Sequence, residues 1–374
     1  MVTTIGIVGL GLMGGSLARR ALETGIDVIA WNHDDSPYRA ARDAGITCTN
    51  SVRELALARP QLVVLCNALH AMPEVLRALA PVLDRGATTL TDIGSVKAVV
   101  RRQVHEAGLA DCYVGAHPMA GNEHSGFTAS DPRLYDDALW AVTVDGSTTY
   151  RRFLDVAQFI TRQLGDRLIV LDDIAHDRAA ATISHMPHVV STAMINLLCA
   201  QDNRNIAAAL AAGSWRDMTR VALTDPARTR AMIEEDRENV EVLLRDMAAR
   251  LEDVADALHV ADERRVAAFF TQGDPFRAYV RASPPRGSSR AAVDTVDAVG
   301  GAQPTMHRLT LNTQPSAHTQ PSAHMQPSLN TEASAQVPSW QTQLATSAER
   351  GEQIIRFLDD RTVEVLTRAV REPA

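Results

Sequence analysis

Short apolar runs alternate with amphipathic stretches along roughly the first 172 residues. Runs at 4–9, 27–32, 62–67, 88–93, 113–117, 139–144 and 168–171 have the length and composition of strands. The segments 14–24, 72–83, 96–107 and 150–164 between them carry helical spacing. Alternation of this kind predicts a doubly wound α/β unit with a mostly parallel sheet over 1–172. From 173 to 281 the strand pattern stops, and helical spacing over 176–200, 204–212 and 226–258 predicts an all-helical second domain. Its apolar faces exceed what so small a domain covers by itself, which predicts that two copies pack as a homodimer.

Between 282 and 339 the composition turns to Pro, Ser, Thr, Gln, His and Gly, with the near-repeat TQPSAHTQPSAHMQPS at 313–328. This is the pattern of a disordered linker, in which His318 and His324 read as solvated filler rather than metal ligands. Beyond it, 340–350 is helical and 352–369 reads as two short strands meeting at Asp359-Asp360-Arg361. A C-terminal helix-hairpin of this size (340–374) does not stand alone, so it is expected to dock on the main body or on a partner subunit.

Composition adds limits. A chain of 374 residues with 45% hydrophobic and 22% charged positions fits a soluble globular enzyme of two packed units. No run approaches the ~18 apolar residues of a membrane span. The first strand begins so close to Met1 that no signal peptide is expected, which points to a cytoplasmic protein. Cys48, Cys66, Cys112 and Cys199 lack metal-ligand or redox spacing and read as reduced packing residues. The formal charge of −8 is spread along the chain without a basic stripe, which argues against nucleic acid as a partner. Among 37 basic residues Lys97 is the only lysine. An ammonium kept where arginine is used everywhere else marks a place that a fork-shaped guanidinium does not serve, chance survival being the alternative.

Six stretches carry candidate chemistry. The first strand runs into Gly9-Leu10-Gly11-Leu12-Met13-Gly14 and then a helix, the context that a dinucleotide-binding Rossmann turn requires. Gly9 permits the tight turn, Gly11 the close approach of a pyrophosphate and Gly14 the close packing of helix on strand. At the end of the second strand, where an acid is expected to bind the adenosine ribose, Asn32 and His33 stand instead, so NAD and NADP are both open. Asp92-Ile-Gly-Ser95-Val-Lys97 and Gly115-Ala-His117-Pro-Met-Ala-Gly121-Asn-Glu123 end strands at the carboxyl edge of the sheet, where such folds bind ligands. A neutral imidazole at His117 suits a proton acceptor for a hydroxyl losing hydride, and the Ser95 hydroxyl faces the same cleft unless it is an ordinary N-cap. In the helical part, Ser184-His185-Met186-Pro187-His188 puts two imidazoles three apart on one face. Zinc there, with His176 or Asp177 as further ligands, is the rival to a substrate contact, and the proline predicts a local kink. Arg216 and Arg220 sit four apart and suit a carboxylate, although surface ion pairing is the usual fate of arginine.

Together GLGLMG, DIGSVK, GAHPMAGNE, SHMPH and RDMTR resemble, in order and spacing, the prephenate and arogenate dehydrogenases, over about residues 4–280. The resemblance implies a Rossmann domain followed by a helical dimerisation domain and a nicotinamide cofactor, NAD or NADP with NAD favoured and no metal. It implies oxidative decarboxylation of a cyclohexadienyl acid on the route to tyrosine. By position, His117 resembles the residue that takes the ring hydroxyl's proton, Ser95 its helper, His188 a contact to the substrate side chain and Arg220 the grip on a carboxylate. Glu123, His185 and Asp177 resemble supporting or gating residues. Thr229 stands where some members carry an aromatic nine positions after that arginine, which leaves prephenate against arogenate open, and the C-terminal helix-hairpin does not resemble the regulatory domain that some relatives append. Two other readings compete. A β-hydroxyacid dehydrogenase needs a lysine in its helical part, and none follows Lys97. A non-catalytic nicotinamide-sensing scaffold would tolerate loss of His117, Ser95 and Arg220, all of which are present.

Overall fold

The computed structural model describes residues 1–122, 124–282, 305–313 and 338–370. Strands β1 (Thr4–Val8), β2 (Asp27–Trp31), β3 (Thr47–Cys48), β4 (Leu62–Leu65), β5 (Thr89–Asp92) and β6 (Tyr113–Pro118) lie in the order β3-β2-β1-β4-β5-β6, all parallel. The chain crosses over between β1 and β4, which opens a crevice at their carboxyl ends. Every side chain of the central LVVL strand β4 is buried, as expected of a strand covered on both faces. Helix α1 (Leu12–Glu23) packs Leu17, Ala18 and Ala21 onto one face.

The parallel run ends at β6. Strand β7 (Leu139–Thr143) pairs with it antiparallel, and β8 (Arg167–Leu171) is parallel to β7. An apolar run carries no sign of its direction, so this reversal is a structural finding. Helix α2 (Lys97–Glu106) links β5 to β6, and α3 (Tyr150–Gln158) runs into a π-helical turn over Phe159–Leu164 before β8.

The helical part starts at α4 (Asp173–Ala180), passes through a π-helical turn, Ala181–His185, and continues as α5 (Met186–Cys199). Proline at the second position of α5 has no N–H to continue the ladder, and the widened turn is the predicted distortion. Helix α6 (Gly213–Thr219) leads through a 3-10 turn, Arg220–Leu223, and helix Pro226–Glu235 to the long α7 (Arg237–His259). The continuous helix expected over 226–258 is broken at Asp236, whose buried carboxylate is bound by His185 Nδ1 at 2.6 Å and Asn239 Nδ2 at 2.7 Å. No helix among the described residues is long and apolar enough to cross a membrane. The four cysteines are unpaired, and Cys199 is exposed on this chain rather than packed.

Inside the stretch read as linker, β9 (Thr305–Thr310) is a strand, a correction to that reading. The composition concealed it because its side chains are mostly exposed and its order comes from pairing with a distant strand. His318 and His324 fall outside the described residues. Helix α8 (Trp340–Glu349) and the hairpin β10 (Glu352–Phe357) and β11 (Thr362–Thr367) form as expected. They dock on the main body: β10 pairs with β8 at Ile354 and Leu168, and the sheet grows to eleven strands through β8-β10-β11-β9. Trp340 inserts its indole 4.9 Å from the Phe153 ring and 5.2 Å from Tyr150, so α8 seals α3 and the edge of the sheet.

Candidate active site

At the glycine turn Gly9 N–H donates to Trp31 O at 2.7 Å with φ +106°, and a Cβ there would lie 2.9 Å from the Cys66 backbone. A Cβ on Gly14 would lie 2.0 Å from Gly9 O, whereas one on Gly11 would meet nothing within 4 Å. Two glycines thus close the turn tightly and the third keeps its outer surface clear. That is the shape a pyrophosphate needs above the start of α1, and the residues fit a dinucleotide. Met13 O accepts from Tyr135 Oη at 2.8 Å, which pins the helix start from below. Asn32 Oδ1 accepts from Leu10 N–H at 2.8 Å and its Nδ2 donates to Asp34 O at 3.1 Å. The side chain read as a ribose contact therefore also splints the glycine turn to β2. His33 is 81% exposed and lies 2.8 Å from the Asp34 carboxylate.

A buried polar cluster lies under the carboxyl ends of β5 and β6. Lys97 is fully buried; its ammonium pairs with Asp92 and donates to Ala116 O at 2.8 Å. Asp92 also accepts from Tyr113 Oη at 2.8 Å and Gly94 N–H at 2.8 Å. Burial pulls the Lys97 pKa down and Asp92 opposes it. Among the described residues the ammonium bonds two acceptors, and a guanidinium with five donors would leave most of them unsatisfied there, which accounts for the lysine at this position. Its bond to Ala116 fixes the residue before His117.

His117 projects from the end of β6 and its Nδ1 lies 2.9 Å from His176 Nε2 on α4, the two rings meeting edge to face. His176 Nδ1 lies 2.7 Å from Asp177 Oδ1. Burial, then the neighbouring His176, Lys97 and His185, push the His117 pKa well below its ordinary value, so the ring is neutral near pH 7. Asp177 also accepts from the backbone N–H groups of Lys97 (2.7 Å) and Ala98 (2.9 Å), capping α2 from the helical part. Burial raises its carboxyl pKa, but these hydrogen bonds and that from His176 outweigh burial and hold it low. Arg101 on α2 binds Asp173 on α4 and Asp145 at 3.0 Å, a second tie across the same boundary.

Ser95 is half-buried just ahead of α2, is not its N-cap (Val96 is), and makes no side-chain hydrogen bond among the described residues. His185 is fully buried with Nε2 unpartnered among the described residues. His188 is half-buried, its Nδ1 2.9 Å from Ser184 O. The two imidazoles expected on one face have different partners, His185 the carboxylate of Asp236 and His188 the carbonyl of Ser184. His176 and Asp177 pair with each other while His185 and His188 have other partners, and no group of three metal-capable side chains gathers among the described residues. Arg220 opens the 3-10 turn after α6, exposed and without an ion-pair partner among the described residues, as is Arg216. That turn packs on α5, the helix bearing His188, and Ser191 Oγ on α5 donates to Met218 O at 2.8 Å. Glu123 lies outside the described residues. Sequence reasoning assigned His176 only a part in a metal site. The signal was its place beside Asp177 in the first turns of the helical part.

Two family models match the chain: the prephenate dehydrogenase nucleotide-binding domain over residues 16–170 and the prephenate dehydrogenase dimerization domain over 173–272. A cyclohexadienyl dehydrogenase of Zymomonas mobilis is 32% identical over 228 residues, covering 59% of this chain and 77% of the relative. The structure of prephenate dehydrogenase from Aquifex aeolicus in complex with hydroxyphenyl propionate and NAD+ is similar with a TM-score of 0.68 at 25% identity, covering 75% of this chain and 99% of that one. A structure described as a putative prephenate dehydrogenase from Corynebacterium glutamicum matches with a TM-score of 0.68 at 30% identity, covering 76% and 91%.

Proposed function

Since the chain belongs to the prephenate dehydrogenase family, we propose that it oxidatively decarboxylates prephenate to 4-hydroxyphenylpyruvate, a step of tyrosine biosynthesis, with His117 as the proton acceptor. The observation that carries this reading is a partly buried imidazole kept neutral at the carboxyl end of β6, on the same edge of the parallel sheet as the glycine turn that follows β1. A nicotinamide dinucleotide held at Gly9, Gly11 and Gly14 would supply the acceptor for the hydride of the hydroxyl-bearing ring carbon. His117 takes the hydroxyl proton, and it returns a proton to the ring oxygen once the ring carboxylate has left as CO2 and the ring is aromatic. A base so placed contributes about 10²–10⁴ in rate. Ser95, its hydroxyl uncommitted among the described residues, shares the ring oxygen, and His188 and Arg220, on neighbouring segments of the helical part, hold the side chain and its carboxylate. His185 backs them from the core.

Two finer assignments go with this. NAD is the cofactor rather than NADP: Asp34 and Asp35 follow β2, and the His33 imidazole lies 2.8 Å from the Asp34 carboxylate, so a 2′-phosphate would meet negative charge. The working unit is a homodimer, supported by the dimerization-domain match and by large apolar side chains left exposed on the helical part. Arogenate is the second substrate reading, favoured by one feature: Thr229, bonded to Thr224 at 2.8 Å, puts a small polar side chain in the segment after Arg220. Initial rates of nicotinamide reduction with prephenate or arogenate, each with NAD or NADP, test the proposal. Fastest turnover is expected with prephenate and NAD; silence in all four with folded protein overturns it.

A further inference from the structure

His176 and Asp177 form a continuous chain of polar contacts behind His117, and no part of the reaction described above uses it. The three side chains come from two domains: His117 ends β6 of the sheet, whereas His176 and Asp177 lie on α4, the first helix of the helical part. All the groups behind His117 are out of water, His176 and Asp177 each being 3% exposed. Their geometry allows one arrangement of protons in which both rings are neutral. A carboxylate only accepts, so the proton between His176 and Asp177 sits on His176 Nδ1. A neutral His176 then presents a bare Nε2, and the 2.9 Å contact requires a proton on His117 Nδ1. The remaining ring nitrogen of His117, Nε2, is left with its lone pair.

We propose that His176, oriented by Asp177, is a positioning residue that holds His117 in the tautomer whose Nε2 accepts the substrate proton, and that this base is complete only when the helical part is docked on the sheet. The inference rests on the proposed reaction for its kinetic consequence, but not for the tautomer itself. Docking and base are tied through shared atoms: the Asp177 oxygens that bind His176 also cap α2, and Arg101 of α2 grips Asp173 one turn earlier on α4. When His117 takes up a proton, Nδ1–H keeps its acceptor and the charge is opposed by Asp177 two bonds down the chain. The remaining charged or titratable neighbours are already committed: Lys97 to Asp92, Tyr113 to Asp92, Arg101 to Asp173 and Asp145, and His185 to Asp236.

The test uses the full-length enzyme and two variants, His176→Phe, which keeps a ring without an acceptor, and His176→Gln, whose amide oxygen can replace it. In the wild type, ring ¹⁵N NMR of His117 should report the Nδ1–H tautomer, and His176→Phe should lose it. With prephenate and NAD, His176→Phe should lower kcat on the order of 10- to 100-fold, less than loss of the base itself, with KM little changed. Its acid limb should move away from the wild-type position, because the partner of His117 Nδ1 is gone. His176→Gln should recover most of kcat and the wild-type limb. An Nε2–H tautomer in the wild type overturns the proposal, as does equal impairment of both variants with an unmoved acid limb. If His176→Phe does not fold, a His176→Gln enzyme with Nε2–H His117 and kcat as low as that of a His117 variant overturns it. A wild type that is inactive on every substrate sinks the functional reading alone, since the tautomer is still read by NMR.

Discussion

The sheet-bearing part and the helical part of this chain treat their polar and apolar groups in opposite ways. In the sheet part, Lys97, Asp92 and Tyr113 are buried and Arg101 is half-buried, all with partners from the same chain, and the terminal hairpin and α8 cover the β8 edge. In the helical part, Ile183, Leu197, Ile206, Leu210 and Leu223 are exposed, α7 buries only Val240 and Ala257, and Arg216 and Arg220 have no ion partner among the described residues. Covering one such side chain stabilises by about 1.5–3 kcal/mol, so a patch of this size left bare marks a surface meant for contact. The difference separates two jobs. The proton-handling site is finished within one chain, while the helical part is shaped to meet a second copy and a substrate carboxylate.

That contrast can be broken at several points. The largest effect is expected at the finished end: His117→Asn should cut kcat by about 10²–10⁴ while leaving KM nearly unchanged, and a similar rise in KM would assign the ring to binding instead. Trp340→Ala removes the indole stacked on Phe153 and should cost about 3–5 kcal/mol in chemical unfolding. If stability is unaffected, the terminal segment is not part of the sheet unit's core. At the open end, Arg220→Gln should act mainly on KM, by about 10- to 100-fold, the worth of a charged hydrogen-bonded contact of about 1.5–3 kcal/mol. A pure kcat loss would move the arginine out of the carboxylate grip.

The smallest effect concerns Asp166, whose carboxyl is buried, accepts from Trp140 Nε1 at 3.0 Å and has its Oδ1 unpartnered among the described residues. Burial raises its pKa to about 7 against the hydrogen bond from Trp140. The folded state therefore holds a proton that the unfolded chain has released, and the stability from this group is full below about pH 4 and is lost as pH rises through 7. Asp166→Asn should flatten that part of the stability profile, and an unchanged slope would show the carboxyl to be ionised in the fold.

Much of this was legible from residue pattern. The glycine turn, seven of the strands and the terminal helix-hairpin lie where periodicity and turn residues put them, because each is specified by local spacing. The two-residue β3 is too short to leave a pattern, and β9 sits in polar sequence, ordered by β11 more than fifty residues away. His117 and the lone Lys97 were visible as chemistry at a strand end and as a compositional oddity. The use of Asp177 as a remote cap for α2, and of His176 between it and His117, depends on how two domains meet, and no local window encodes that.

The most direct test of the reaction is stoichiometry with prephenate labelled in the ring carboxylate. Purified enzyme and NAD should release one labelled CO2 for each nicotinamide reduced, and His117→Asn should suppress both together. Nicotinamide reduction without CO2, or neither product from folded protein, would contradict the account.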